Sequence, residues 1–197
     1  THDAGALWIA DEVQGGHGRT GEAMWSFQRF GITPDFVTLG KPMGNGYPMA
    51  GLVLQPEILA DFGAKSRYFN TFGGNAVAAA VGLAVLDVIR DEGLMQNAAT
   101  VGATFAQGLR DLSSRHDSVG ETRAAGLFLG TDILTDGQPD GAKAGRLVND
   151  LRREGILISA KSKGTLLSGN FVGTNAAGVA AIPNTGNGVR VIDSNGT

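Results

Sequence analysis

Short apolar strands alternating with helices predict an α/β fold for this chain. Three observations carry that prediction. Residues 6–10 and 36–39 are brief apolar runs that each lead into polar residues and glycines. Residues 75–90 are small and apolar nearly all round, and 97–115 are amphipathic, so both read as helices. After Asp117 the text changes character and runs strand, helix, strand.

The elements follow in order. Residues 6–10 read as a buried strand and 15–22 as a glycine-rich loop. Met24-Trp25-Ser26-Phe27-Gln28-Arg29-Phe30 reads as a short aromatic helix or turn, with Trp25 and Phe27 in the core. Pro34-Asp35 opens the strand at 36–39, residues 50–54 form another strand, and 56–62 a short helix. Residues 75–90, apolar on almost every side, predict a buried helix. Residues 120–133 hold one or two strands, 142–154 a helix and 155–159 a closing strand.

Composition excludes several classes of function. The chain has 197 residues and a formal net charge of −3, unlike a basic nucleic-acid binder. It has no cysteine, so neither a disulfide framework nor a thiolate zinc site is possible. His2, His17 and His116 form no ligand pair at helical spacing, and no metal site is expected. No apolar run approaches the ~18 residues of a membrane helix, and the first residues lack a signal-peptide pattern. A cytoplasmic protein without nucleic-acid or membrane partners is expected. The first residue is threonine, and the chain reads as beginning inside something longer.

Chemistry concentrates where the two apolar runs end. Leu7-Trp8-Ile9-Ala10 runs into Asp11-Glu12-Val13-Gln14-Gly15-Gly16, and Val37-Thr38-Leu39-Gly40 into Lys41-Pro42-Met43-Gly44. Two strands that each deliver a polar residue to one edge suggest a single site at the carboxyl end of a sheet. An aspartate and a lysine are what pyridoxal phosphate chemistry needs: the amine forms a Schiff base, and the carboxylate keeps the pyridine nitrogen protonated. By spacing alone the same residues read equally well as an Asp–Lys ion pair.

The wording of the motifs separates these readings. Asp11-Glu12-Val13-Gln14 with Gly18-Arg19-Thr20-Gly21, then Leu39-Gly40-Lys41, then Asn70-Thr71-Phe72-Gly73-Gly74-Asn75, resembles the class III (ω-type) aminotransferases, which are fold-type I pyridoxal phosphate enzymes. Within that family, Phe69-Asn70-Thr71-Phe72-Gly73-Gly74-Asn75 and Val81-Gly82-Leu83-Ala84-Val85-Leu86 are most similar to a subgroup containing ethanolamine-phosphate phospho-lyase and alanine–glyoxylate aminotransferase 2-like proteins.

The resemblance implies roles. Lys41 would carry pyridoxal 5'-phosphate as a Schiff base and then shuttle the α-proton. Asp11 would pair with the ring nitrogen, Val13 would pack under the ring, and Gln14 would bond the ring hydroxyl. Thr71 would reach the cofactor phosphate of a partner subunit in a homodimer. Arg19 is either a contact for a substrate anion or an anchor of the loop, and His17 reads as a loop residue rather than a base. The implied activity is transfer of an amino group from an amine or amino acid to an oxo acid. A phospho-lyase, aminomutase or racemase on the same scaffold is the alternative. The ring-stacking aromatic and the main phosphate loop of the family would belong to text before Thr1.

The resemblance divides the chain. Residues 1–116 would be the C-terminal part of the cofactor-binding large domain and 117–160 the start of the small C-terminal domain. After Ala160 the pattern fails, without the expected Arg-Pro-Pro-like segment. Gly169-Asn170-Phe171-Val172-Gly173 and Asn184-Thr185-Gly186-Asn187-Gly188 instead resemble coils of secreted parallel β-helix proteins. Residues 161–197 are therefore expected to be a foreign, β-rich tail. The competing class of function is a non-enzymatic β-repeat surface protein. The expectation overall is an aminotransferase fragment that is inactive alone.

Overall fold

The structure, a computed structural model, describes residues 1–160 and 164–168. It contains two compact units, one from Thr1 to Ala99 and one beginning at Thr100.

The first unit is built on a small sheet. Strand β1 (Ile9–Asp11) leads directly into the single turn of α1 (Glu12–Gly15). The glycine loop and a 3-10 turn at Ser26–Phe30 then return the chain to β2 (Phe36–Leu39), which pairs with β1 in parallel. Ala10 lies opposite Val37, and both are buried, as expected where alternate residues share one face. Strand β3 (Gly51–Leu54) adds antiparallel to β2. Helix α2 (Pro56–Lys65) starts on a proline, whose missing N–H costs nothing in a first turn. Helix α3 (Ala76–Asp91) is capped by Asn75, whose side chain accepts from the Ala78 N–H at 2.8 Å. The division between the units falls within α4 (Leu94–Ser113).

Two expectations change in this unit. The helix expected to be buried forms as α3, but no residue of it is buried, and Val77 and Leu83 are 61% and 63% exposed. Apolar text all round states what a helix could bury, not what is packed against it. Among the described residues α3 meets the turn Lys41–Gly44 and, at Gly82, the side chain of Met49. The strand expected over residues 6–10 begins only at Ile9, and Leu7 and Ile9 are exposed. Trp8 spends its backbone on Asp35 instead: its N–H donates to Asp35 Oδ2 at 2.6 Å, and its carbonyl accepts from the Asp35 N–H at 3.0 Å.

The second unit buries its own core. Strands β4 (Val119–Ala125) and β5 (Phe128–Thr135) form a hairpin, and β5 turns through Asp136–Gly137 into β6 (Gln138–Pro139). Asp136 and Gly137 both adopt positive φ, 51° and 73°, the backbone that matches a two-residue hairpin turn to strand twist. Helix α5 (Gly141–Arg153) is capped by Asp140, which accepts from the Lys143 N–H at 2.9 Å. Ile133 and Ala144 are buried at 3% and 0% exposure, and Leu147, Val148, Ile158 and Ala160 pack on them.

The end of α5 corrects the strand expected at 155–159. Gly155 takes a left-handed φ of 81°, its N–H donates to Arg152 O, and the Ile156 N–H donates to Leu151 O at 2.8 Å. That paired closure spends residues 155 and 156 on ending the helix. Only β7 (Ser159–Ala160) is strand. Strand β8 (Thr165–Ser168) then inserts between β5 and β7, giving the order β4-β5-β8-β7. Residues 165–168, on the far side of the boundary expected at 160/161, pair with β5 and β7 in this sheet. The β-helix-like segments quoted above lie outside the described residues.

Candidate functional site

Parallel pairing of β1 and β2 puts their carboxyl ends at one sheet edge, with Asp11 opposite Thr38. Asp11 closes β1 and caps α1. Its Oδ1 accepts from the Val13 N–H at 3.1 Å and from the Thr38 hydroxyl at 3.2 Å. Its Oδ2 accepts no hydrogen bond among the described residues. Val13 sits against Gly40, where an added Cβ would lie 3.5 Å from Val13 Cγ1. The second residue of the α1 turn and the residue before the lysine are thus held together by ordinary packing.

Lys41 follows β2 after one glycine and opens the 3-10 turn Lys41–Gly44. Its φ is 32°, in the left-handed region that a side chain rarely adopts. Strain of this kind costs on the order of 1–3 kcal/mol and persists where surrounding structure fixes it. The support is visible. Met49 lies between Gly44 and Gly82 of α3, and an added Cβ would stand 2.9 Å and 3.1 Å from its atoms at those two positions. A side chain at either position would press on Met49, most closely at Gly44.

The Lys41 side chain is exposed and has no hydrogen-bond or ion-pair partner among the described residues. The simple Asp11–Lys41 ion pair is therefore not formed, and both groups face solvent. Gln14 is exposed on the same turn as Val13 and is also without a partner.

Thr71 belongs to a separate exposed turn. Asn70 Oδ1 accepts from the Phe72 and Gly73 N–H groups, and Asn75 Nδ2 donates to Phe72 O at 2.8 Å. These two asparagines hold the turn, so the Thr71 hydroxyl is not needed for it. No hydrogen bond joins Thr71 to Asp11 or Lys41 among the described residues.

Behind the edge lies a carboxylate that sequence reasoning passed over. Glu12 is buried, and its two oxygens accept from the Ser26 N–H, the Ser26 hydroxyl and the Phe27 N–H, at 2.8, 2.5 and 2.8 Å. It ties α1 to the turn fourteen residues on, a separation that leaves no short-range signal. Thr38 was also missed, although a parallel register pairing the two strand ends would have placed it beside Asp11. His17 is stacked edge-on against Trp25 with ring centroids 5.0 Å apart. Burial lowers its pKa, and the Glu12 charge opposes that. Burial likewise lowers the pKa of Arg19, which stays charged at neutral pH. Trp25 and Phe27 are half-buried.

The edge therefore presents an unpaired amine, a carboxylate with one uncommitted oxygen and a free amide, around a packed valine. Comparison with known proteins gives this constellation a family. The chain is 42% identical over 158 residues to alanine–glyoxylate aminotransferase 2 homolog 2, mitochondrial, of Arabidopsis thaliana, covering 79% of this chain and 33% of that protein. It is 41% identical over 162 residues to ethanolamine-phosphate phospho-lyase homolog 1 of Caenorhabditis elegans, covering 79% of this chain and 35% of that one. Among solved structures it is similar to a phospholyase from Arthrobacter in complex with phosphoethanolamine, with a TM-score of 0.80, 43% identity, and coverage of 85% of this chain and 41% of that chain. The chain thus spans about a third of the length of these curated relatives. The sequence pattern of the aminotransferase class-III family matches residues 1–168, through the end of β8 and beyond the point where the resemblance was expected to stop. The chain belongs to the aminotransferase class-III family.

Proposed function

We propose that this chain is the lysine-bearing part of a pyridoxal-phosphate-dependent aminotransferase, which moves an amino group from an amine or amino acid to an oxo acid. The observation that carries the reading is the strand-end pair: Asp11 and Lys41 on one edge, unbonded to each other. A structural ion pair would use up both charges, whereas a cofactor site needs them available. The donor set suits the cofactor, with an amine for its aldehyde, a carboxylate oxygen for its ring nitrogen and an amide for its ring hydroxyl.

When bound, pyridoxal 5'-phosphate supplies an electron sink for the charge left when an α-proton departs. The rest of the work falls to this chain's side chains. Lys41 Nζ would hold the cofactor and, when not bonded to it, would take and return the substrate α-proton. Asp11 Oδ2 would keep a proton on the ring nitrogen. Val13, braced on Gly40, would pack against the ring. Gln14 would bond the ring hydroxyl. The unengaged Thr71 hydroxyl would serve the cofactor phosphate of a partner subunit in a homodimer. The cytoplasm is the proposed compartment.

A phospho-lyase is the second reading, favoured by the 43% identity to the Arthrobacter enzyme and its phosphoethanolamine complex. Both readings share Lys41 and part after the proton leaves. A product assay on a full-length protein carrying this segment separates them. Incubation with cofactor, amino donors and an oxo acid should yield a new amino acid. Release of inorganic phosphate from phosphoethanolamine without amino acid formation would replace the first reading by the second. Neither product would remove both.

A further inference from the structure

Asp11 has two oxygens, and the structure treats them differently. Oδ1 receives both donors, the Val13 N–H from its own turn and the Thr38 hydroxyl from the neighbouring strand. Oδ2 receives none among the described residues. A single N–H from the α1 turn would be satisfied by either oxygen after a half-turn of the carboxylate. A second donor, fixed on another strand and aimed at the same oxygen, removes that freedom.

Thr38 suits this task. The β1–β2 register puts its Cα opposite that of Asp11. Its β-branched side chain restricts χ1, so the hydroxyl is presented with little rotamer freedom. It is half-buried, whereas Asp11 is exposed, so the donor is the better-shielded partner.

We propose that Thr38 is a positioning residue that commits Asp11 Oδ1 to the protein and so holds Oδ2 as the acceptor for the ligand's N–H. This rests on the cofactor reading given above. The competing explanation is that the Thr38–Asp11 bond only stitches β1 to β2.

The test uses a full-length protein carrying this segment, loaded with pyridoxal 5'-phosphate, in three variants: Thr38→Val, Thr38→Ala and Thr38→Ser. Val and Ala remove the donor, and Ser retains it. Loss of one hydrogen bond to a charged group predicts a fall in kcat of about tenfold, with KM for the amino donor within about twofold of the parent. The pH profile of the bound cofactor's visible absorption should shift in the same variants, and Thr38→Ser should restore most of the rate and the profile. Should Thr38→Val fail to fold, Thr38→Ala carries the same expectation. A parental kcat and absorption profile in Thr38→Ala or Thr38→Val, with only the melting temperature lowered, would overturn the proposal and leave the cofactor reading intact. Failure of the parent protein to fix cofactor on Lys41 under borohydride would remove the reading itself, and this inference with it.

Discussion

The two units of the chain solve the burial problem differently. The unit from Thr100 stacks α5 on a mixed-order antiparallel sheet and closes around Ile133 and Ala144, which are almost wholly inaccessible. The unit of Thr1–Ala99 carries the candidate site, yet α2 and α3 bury no residue and β1 and β2 contribute Ala10 and Val37. Its order comes from polar ties and glycine clearances more than from apolar area: Glu12 on Ser26 and Phe27, Asp35 on Trp8, Met49 between two glycines. The difference teaches that chemistry at a strand edge can be arranged locally, by caps, register and turn geometry, in a region whose apolar surface is still largely uncovered.

The sharpest way to break this comparison is a pair of truncations. Ile133→Ala should destabilise the second unit by about 3 kcal/mol, through lost burial and the cavity left behind. Leu83→Ala in α3 removes a side chain that is already 63% exposed and should cost the chain less than about 1 kcal/mol. Urea unfolding of the full chain, read by circular dichroism, checks both. Equal losses would mean that α3 is covered in solution and that the contrast is false.

Glu12 sharpens the account of the first unit. Glu12→Gln replaces an acceptor oxygen with a donor group facing N–H and O–H donors, and should cost about 2 kcal/mol. Amide hydrogen exchange at Ser26 and Phe27 should accelerate in that variant while β5 amides stay protected. Unchanged exchange at those amides would show that the carboxylate is not the tie described.

A smaller effect follows from His17. Its folded pKa is lowered by burial, so the unfolded chain binds a proton first as pH falls. Stability is therefore undiminished above the ordinary histidine value of about 6.5 and declines as pH drops below it. The decline ends once pH has passed the lower folded value, since both states are then protonated. His17→Phe should flatten the unfolding free energy of the first unit between about pH 7 and 5. An unaltered slope would show that His17 is not protected from protonation.

Legibility from sequence followed the range of the interactions. Strand β2 was readable over 36–39, and α5 to within a residue at each end, because local apolar pattern decides them. Asp11 and Lys41 were readable because each ends an apolar run before glycines. Thr38 and Glu12 were not, since their roles depend on partners 27 and 14 residues away. Strand β8 was hidden because Thr165-Leu166-Leu167-Ser168 is too short to announce itself, and its place is set by pairing with β5 and β7. The misjudged burial of α3 has the same origin: periodicity describes a helix, and its neighbours decide whether it is covered.

The central claim is that Lys41, free and strained at the end of β2, is the amine that holds the cofactor. The most direct measurement is borohydride reduction of a full-length protein carrying this segment after incubation with pyridoxal 5'-phosphate, followed by peptide mass mapping. The account predicts that the cofactor mass is fixed on the peptide containing Lys41 and is lost in Lys41→Ala, with turnover falling by several orders of magnitude. Cofactor fixed on another lysine, or retained in Lys41→Ala, would contradict it.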